Sequence, residues 1–147
     1  MRVMVMIKGS GADEGKAAPT EEMFAAMTAY NEELVKAGIM LDGDGLKPSS
    51  EGAKVVWQET GELSVVDGPF TEAKEIVGGY WIWEVSSLEE AVQWARRCPK
   101  DPHFGSTQVL EIRPYFETED FGAEFTPELR EREERLVAEL QAQKQGS

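Results

Sequence analysis

A charged nine-residue stretch, residues 67–75, holds most of the side chains in this sequence that could do chemistry. It reads Asp-Gly-Pro-Phe-Thr-Glu-Ala-Lys-Glu, so three carboxylates and one amine lie close together along the chain. Carboxylates can act as general bases, and an ammonium group can stabilise developing negative charge. The alternative is an ordinary surface loop with solvated charges, because clusters of charged residues are more often exposed to solvent than part of a site. The stretch is therefore a candidate site, and its chemistry depends on how the fold surrounds it.

The only histidine, His103, is the other candidate for proton transfer. Histidine titrates near neutral pH, and His103 lies in a loop stiffened by Pro99 and Pro102. A general base also needs an orienting partner, which the sequence does not place. If the protein is an enzyme, we predict that His103 or Asp67 is the base and that Lys74 stabilises negative charge.

Ligand binding without catalysis is the simpler hypothesis for the same region. Gly68 and Pro69 end a short strand and stiffen the loop, and Phe70 is an apolar anchor for it. We expect a small organic ligand to bind between the sheet and this loop. The predicted contact residues are Lys47, Asp67, Phe70, Glu72, Lys74, Glu75 and Tyr80.

Two other motifs are excluded by their own residues. Residues 9–11, Gly-Ser-Gly, suggest phosphate binding, but Glu14 stands where a dinucleotide fingerprint needs its third glycine, and it would repel phosphate. Asp42 and Asp44 are typical of the start of a calcium loop, but Ala53 stands at the twelfth position, where a glutamate is needed. We therefore predict neither a metal site nor a cofactor.

Composition limits the class of protein. The chain has 147 residues, of which 41% are hydrophobic, enough for the core of one domain. Its 28 acidic and 15 basic residues give a net charge of −13, which disfavours direct binding to nucleic acid or to an anionic membrane. No stretch is long and apolar enough to span a bilayer. The single cysteine, Cys98, excludes an intramolecular disulfide and is typical of a reducing compartment, so we predict a cytoplasmic protein.

The elements that would position these residues follow the order β-α-β, hairpin, β-α-β. Strands are predicted at residues 3–8, 39–41, 53–59, 63–67, 76–85 and 108–113, and helices at 20–37, 87–97 and 126–143. Thr20 is the predicted N-cap of the first helix, Ser87 with Glu90 predicts a capping box for the second, and Thr126 begins the third. This order predicts a ferredoxin-like α+β domain with an extra β-hairpin, followed by a C-terminal helical arm. Alternation places Trp81 and Trp83 on one sheet face and Tyr80 and Ile82 on the other. Because helices cover only one face, we expect a second copy of the chain to cover the other.

The first two helices each carry an apolar stripe. The stripe residues are Met23, Met27, Tyr30 and Leu34 in the first helix, and Leu88, Ala91, Val92 and Ala95 in the second. We interpret both stripes as core, because a methionine stripe packs in a core more often than it binds a cofactor.

The nine-residue stretch also carries a family resemblance. Together with residues 78–80, Gly-Gly-Tyr, residues 87–91, Ser-Leu-Glu-Glu-Ala, and residues 97–99, Arg-Cys-Pro, it closely resembles the DGPF group of YCII-related proteins. The resemblance covers residues 1–115. It implies a dimeric α+β barrel, a homodimer in a mostly bacterial cytoplasmic setting, with an uncharacterised role in many relatives.

The same resemblance implies two alternatives to ligand binding. Some group members are similar to domains found alongside extracytoplasmic-function sigma factors, which implies a regulatory interaction module. A few distant relatives are lyase or dehydrochlorinase-type enzymes, which implies a lyase or isomerase acting on a small aromatic or carbonyl compound. Those enzymes use a His-Asp pair with the histidine on the first helix, but residues 20–37 contain no histidine, so the pair is not carried over. Residues 116–147 lie outside the resemblance.

Overall fold

The computed structural model describes residues 1–102 and 107–146. The chain divides into two compact units, Met1–Tyr115 and Phe116–Ser147. The first unit contains β1 (Arg2–Gly9), α1 (Glu21–Lys36), β2 (Met40–Gly45), β3 (Ala53–Trp57), β4 (Leu63–Asp67), β5 (Ile76–Glu84), α2 (Leu88–Ala95) and β6 (Val109–Pro114). The second unit contains α3 (Pro127–Gln145). The predicted α+β class and all three predicted helices are confirmed.

Four of the strands form one antiparallel sheet in the order β2-β5-β1-β6. The other two, β3 and β4, form a separate hairpin, as predicted. Over the residues described, one chain does not close its sheet into a barrel. The long strand β5 starts directly after the motif loop, residues 67–75, so the sheet fixes one end of that loop.

The core lies between one face of the sheet and the helices α1 and α2. Val3, Val5 and Trp83 are fully buried there, and Leu34 of α1 is buried with them. The Tyr30 hydroxyl donates to the Trp94 carbonyl at 2.7 Å, which joins α1 to the end of α2. The predicted alternation is confirmed, since Trp81 and Trp83 are buried whereas Tyr80 and Ile82, on the opposite face, are partly exposed.

Strand β2 is longer than predicted. The sequence predicts a strand that ends at Leu41, because Asp42 and Gly43 are typical turn residues. The observed strand continues to Gly45 and pairs with β5, with Gly43 opposite Trp81. A Cβ at Gly43 would lie 2.8 Å from Trp81 Cδ1, so the absence of a side chain lets the strand pass beside the indole.

The helix ends follow local capping rules with one difference. Thr20 caps α1 as predicted, its Oγ1 accepting from the Met23 N–H at 3.2 Å. In α2 the Glu90 N–H donates to Ser87 Oγ, but the Glu90 carboxylate accepts from the N–H and hydroxyl of Ser86 instead of the Ser87 N–H. The predicted reciprocal capping box is therefore displaced by one residue.

The predicted inward stripe of α2 is wrong at two positions. Leu88 and Val92 are exposed, whereas Ala91 is fully buried. The partly buried residues that join Ala91 are Trp94, Ala95 and Cys98. These follow the i, i+3, i+4, i+7 spacing of one helix face, and Val92 lies about 100° away around the helix axis.

The second unit consists largely of α3, which starts at the predicted cap, Thr126. The apolar residues of α3, Leu129, Leu136, Val137 and Leu140, are all exposed. Of the helices described, none has the length and apolar character needed to cross a membrane.

Candidate functional site

The motif loop is held in place by Ser49, a buried polar residue from the preceding connection. Ser49 Oγ accepts a hydrogen bond from the Phe70 N–H at 2.9 Å. The Ser49 hydroxyl donates to Glu14 Oε2 at 2.5 Å, and the Ser49 N–H donates to Glu14 Oε1 at 2.6 Å. Three loops are thus joined through one serine. Glu14, which excluded phosphate binding by sequence, has this structural role.

Two glycines allow these loops to approach one another closely. A Cβ at Gly68 would lie 1.6 Å from the Ser49 carbonyl oxygen, and a Cβ at Gly11 would lie 2.2 Å from the Phe70 carbonyl oxygen. The Gly11 N–H also donates to the Ala73 carbonyl at 3.0 Å. No larger residue fits at either position without movement of the backbone.

An ion-pair cluster fixes the far end of the motif loop. Lys8 Nζ contacts Glu75 Oε2 at 3.1 Å and Glu111 Oε1 at 3.0 Å, so the loop is joined to β1 and β6. Hydrogen bonds to Glu111 and then to Glu75 raise the pKa of Lys8. Lys8 is thus a charge-paired ammonium that is held by carboxylates on both sides.

An apolar cavity lies elsewhere, between the first half of α1 and the corner of the sheet formed by β2 and β5. Its volume is about 350 Å³. We call it the α1 cavity. Its lining includes Ile7, Pro19, Met23, Phe24, Met27, Asn31, Met40, Gly43, Asp44, Gly45, Leu46, Gly78, Gly79, Tyr80, Trp81 and Asp101.

Glycines leave the space for this cavity. Gly43, Gly45 and Gly79 occupy strand positions in register with the helix-facing side of the sheet, since Gly43 pairs with buried Trp81 and Gly45 pairs with Gly79. A Cβ at Gly45 would meet no atom within 4 Å. Side chains are therefore missing where α1 passes over this corner, and Met23 and Met27 contribute to the wall instead of filling a closed core.

The cavity is mainly apolar. Asp44 lies in its lining but pairs with Tyr80, so its side chain is on the opposite sheet face; Asp101 also lines the cavity, and no lysine or arginine does so among the described residues. The Asn31 side chain is already engaged, because its Oδ1 accepts from Trp81 Nε1 at 2.8 Å. Such a surface suits a neutral or cationic apolar molecule better than an anion.

Comparison with known proteins assigns the chain to a family. Residues 1–118 match the family model described as the YCII-related domain. The protein belongs to the YCII-related family. An uncharacterised protein of Rhizobium meliloti (strain 1021) is 31% identical over 96 residues, which cover 65% of this chain and 77% of the relative. The resemblance predicted from the motif residues is therefore confirmed at the level of the family.

The predicted contact residues of this YCII-related domain do not converge on one cavity. The Lys47 side chain is 79% exposed, and its Nζ lies 3.5 Å from Glu51 Oε1. Asp67 and Glu72 are exposed. Of the predicted set, Tyr80 is the one residue in the lining of the α1 cavity, while Lys74 and Glu75 line a separate shallow cavity of about 390 Å³.

Phe70 and His103 stand apart from the rest of the predicted set. Phe70 is partly buried, with Lys54 Nζ 4.2 Å from the centre of its ring, so the predicted apolar anchor also contacts a cation. His103 lies outside the described residues. The described residues contain no group of three or more histidine, cysteine or acidic side chains arranged to hold a metal ion.

Sequence reasoning missed the residues that form the cavity wall. Met23 and Met27 were predicted to be core, and residues 42–45, Asp-Gly-Asp-Gly, were predicted to be a turn. One signal was present in the sequence, because glycine at every second position of a strand leaves one face of that strand without side chains. That pattern predicts a gap under a covering helix once residues 42–45 are recognised as a strand.

Proposed function

We propose that this YCII-related protein is a homodimer that binds a small, mainly apolar organic ligand in the α1 cavity. The cavity itself is the observation that carries the proposal. Its volume of about 350 Å³ lies within the range of small-molecule sites, roughly 300–1,000 Å³. Binding of this kind requires no catalytic residue.

The cavity wall supports a ligand with an aromatic or aliphatic body. Methionine side chains are flexible and polarisable, so Met23, Met27 and Met40 can adapt to different apolar shapes. Trp81 offers an aromatic surface that Asn31 holds in one orientation. No lysine or arginine lines the cavity among the described residues, which favours a neutral or cationic ligand over a carboxylate or phosphate.

The motif loop has an indirect role in this proposal. Gly78, Gly79 and Tyr80 line the cavity and follow the loop directly along the chain. Ser49 and Lys8 fix the two ends of the loop, so the start of β5 is held in position. A ligand that contacts the loop itself, through residues such as Glu72 or Lys74, would have to bridge the distance between separate cavities.

Architecture supports the homodimer. The strand order β2-β5-β1-β6, with both helices on one face, supports a ferredoxin-like domain over residues 1–115 and a C-terminal helical extension over 116–147. The opposite sheet face carries Met4, Met6 and Ile82, which a second copy would cover. We also propose membership of the DGPF group, from the motif residues, and a cytoplasmic location, from the single cysteine.

A glycine substitution tests the cavity directly. Gly45→Leu places a side chain into open space without backbone strain, because Gly45 has no atom within 4 Å of its Cβ position and lacks a positive φ. We expect the variant to fold and to lose at least about tenfold in affinity for any molecule that stabilises the wild type in a thermal-shift screen of neutral and cationic metabolites.

The matched control is Gly52→Leu. A Cβ at Gly52 meets only the Ser49 carbonyl oxygen, at 3.5 Å, and Gly52 is exposed and outside the cavity lining. The control should bind as the wild type does. Equal binding by the Gly45→Leu variant would contradict the proposal.

Two other activities predicted from the sequence stay proposals. A lyase or isomerase with His103 or Asp67 as base would require that base to lie beside a cavity, and Asp67 is exposed at the end of β4. A regulatory module linked to extracytoplasmic-function sigma factors would use the acidic surface and the exposed stripe of α3. No contact among the described residues favours either over ligand binding.

A further inference from the structure

A small polar cavity adjoins the α1 cavity. Its volume is about 30 Å³, which is room for a group the size of a water molecule. We call it the polar cavity. Leu46 and Gly78 line both cavities, and their backbones are joined, since the Leu46 N–H donates to the Gly78 carbonyl at 2.9 Å. The full lining of the polar cavity is Gly9, Ser10, Glu14, Leu46, Lys47, Pro48, Ile76 and Gly78.

The polar cavity lies at the end of the sheet from which α1 is reached. Gly9, the last residue of β1, pairs with Ile76, the first residue of β5. The loop from β1 to α1 supplies Ser10 and Glu14 to the polar cavity and Pro19 to the α1 cavity. A ligand that fills both cavities would therefore need an apolar body and a small polar end.

Glu14 brings a negative charge without a counter-ion to the polar cavity. Its carboxylate accepts hydrogen bonds from the N–H and the hydroxyl of Ser49, which are both neutral donors. Glu14 is partly buried and has no ion-pair partner among residues 1–102 and 107–146. Each carboxylate oxygen can accept more than one hydrogen bond, so Glu14 can bind a cation and still hold Ser49.

The other polar side chains of this cavity leave the charge of Glu14 uncompensated. The Lys47 side chain is largely exposed and already lies beside the Glu51 carboxylate. Ser10 is partly buried, and its Oγ accepts from the Ala12 N–H at 3.1 Å. A hydroxyl oxygen has two lone pairs, so Ser10 can accept a second hydrogen bond. The polar cavity thus offers acceptors and a negative charge.

We propose that the ligand of the α1 cavity is an amphipathic amine, whose apolar body lies in the α1 cavity and whose ammonium group lies in the polar cavity against Glu14 and Ser10. This assignment rests on the ligand binding proposed above and adds the chemical class of the ligand. An ammonium group is a donor of three hydrogen bonds and has no acceptor, which matches the groups around it. A carboxylate or phosphate at the same end of the ligand would be repelled by Glu14.

Asp101 is the competing position for a cation. It lines the α1 cavity but not the polar cavity, so an amine bound there would have a different orientation. Asp101 already interacts with other residues of the chain, and its N–H donates to Gln108 Oε1 at 2.7 Å. Glu14 combines an unpaired charge with a cavity of matching size, and it is therefore the favoured position.

A competition experiment tests the chemical class. N-phenyl-1-naphthylamine, which is uncharged at pH 7.5 and fluoresces in apolar surroundings, is bound to the wild type. It is then displaced by 4-phenylbutylamine, 4-phenylbutan-1-ol or 4-phenylbutyrate, which share one aromatic body and differ in the end group. We expect the amine to act at roughly tenfold lower concentration than the alcohol, and the carboxylate to be the weakest competitor.

A charge-removing variant tests the role of Glu14. In Glu14→Gln the amide can still accept from the Ser49 N–H, but the charge is gone. We expect this variant to bind the alcohol as the wild type does and to lose its preference for the amine. Glu62→Gln is the matched control, because Glu62 is exposed and outside both cavities, and the change in net charge is the same. This control and Asp101→Asn should both keep the preference.

Nuclear Overhauser effects on the wild type test the orientation without any variant, so the test holds even if Glu14→Gln does not fold. Ile76 lines the polar cavity alone, whereas Met23 lines the α1 cavity alone. The methylene group beside the nitrogen of 4-phenylbutylamine should contact the Ile76 methyl groups, and its phenyl ring should contact the Met23 methyl group. The reverse placement would overturn the assignment.

The outcomes separate this inference from the proposed function. Equal displacement by amine and alcohol, a preference that survives Glu14→Gln, or a parallel loss of both competitors in that variant overturns the role of Glu14. A preference abolished by Asp101→Asn does the same. Apolar ligand binding would still stand in these cases, because N-phenyl-1-naphthylamine carries no charge. Failure of N-phenyl-1-naphthylamine to bind in the α1 cavity would overturn both proposals.

Discussion

At the scale of single residues, the motif loop owes its shape to close contacts that only small side chains allow. The Ser49 carbonyl approaches Gly68, and the Ser49 hydroxyl connects the Phe70 backbone to the Glu14 carboxylate. The Gly-Pro-Phe part of the loop is thus structural, as the sequence predicts. Asp67 and Glu72 stay exposed, which agrees with the plainer interpretation of the charge cluster.

We predict that Gly68→Ala destabilises the fold by about 2 kcal/mol or more, because the new Cβ would lie 1.6 Å from the Ser49 carbonyl oxygen. Urea denaturation followed by tryptophan fluorescence measures the change. Gly52→Ala is the control, since its nearest neighbour would be at an ordinary 3.5 Å. Equal stability of the two variants would show that the loop moves away from Ser49 at little cost.

A second prediction concerns the dependence of stability on pH. Burial raises the pKa of the Cys98 thiol from 9.0 to about 11. The unfolded chain therefore loses this proton first as pH rises, so stability should fall between about pH 9 and pH 11. We expect the free energy of unfolding to drop between pH 7.5 and pH 10.5 by on the order of 1 kcal/mol more in the wild type than in Cys98→Ala.

Comparison with Cys98→Ala removes the effects of other groups. Lys8, whose pKa is also raised, titrates in both proteins and cancels in the difference. The pKa of Tyr30 is raised mainly by burial, which both proteins share, and further by the charge of Cys98, so that smaller part belongs to the effect of the thiol. Parallel pH profiles for the two proteins would mean that the thiol is as accessible in the folded state as in the unfolded one.

At the scale of elements, the β3–β4 hairpin contributes little to the core of its own chain. Cross-strand pairs put Val55 opposite Val65 and Trp57 opposite Leu63. All four of these apolar side chains are exposed. A two-stranded sheet without cover is marginally stable in water.

We predict that the hairpin exchanges its backbone amides faster than the central sheet. Amides of β3 and β4 should exchange on the order of 10²-fold faster than those of β1 and β5, because local opening of the hairpin exposes little new apolar surface. Hydrogen exchange read by mass spectrometry measures this. Strand β6 is the internal reference, since it is also an edge strand but belongs to the four-stranded sheet. Slow exchange in the hairpin would show that another layer covers it in solution.

The elements also show how far the sequence predicts the fold. Strand alternation in β5, the hairpin and the caps at Thr20 and Thr126 are local signals, and all are confirmed. The predicted second strand ended too early, because residues 42–45, Asp-Gly-Asp-Gly, are typical turn residues. These residues form a strand because they pair with β5, with Gly43 opposite Trp81. Strand pairing depends on tertiary structure, and local propensity does not predict it.

At the scale of the whole molecule, the sequence predicts the family but not the cavity. The motif residues suffice for the family, and the matching model covers residues 1–118. The cavity results from where α1 crosses three glycines of two paired strands, so it depends on packing between distant segments. The predicted site was centred on the charged loop because charged residues can be identified in a sequence, whereas a cavity between distant segments cannot.

Ligand binding in the α1 cavity can be measured with the six methionines of the chain as reporters. Met23, Met27 and Met40 line the α1 cavity, whereas Met4 and Met6 lie on the sheet face opposite the helices, which we call the outer face. The measurement is a titration of methyl-¹³C-methionine protein with N-phenyl-1-naphthylamine, a neutral aromatic probe, followed by NMR. We predict that the three cavity methyl signals shift in a saturable way, that the two outer-face signals do not, and that Gly45→Leu abolishes the shifts. Shifts confined to Met4 and Met6, or none at all, would contradict binding in the α1 cavity.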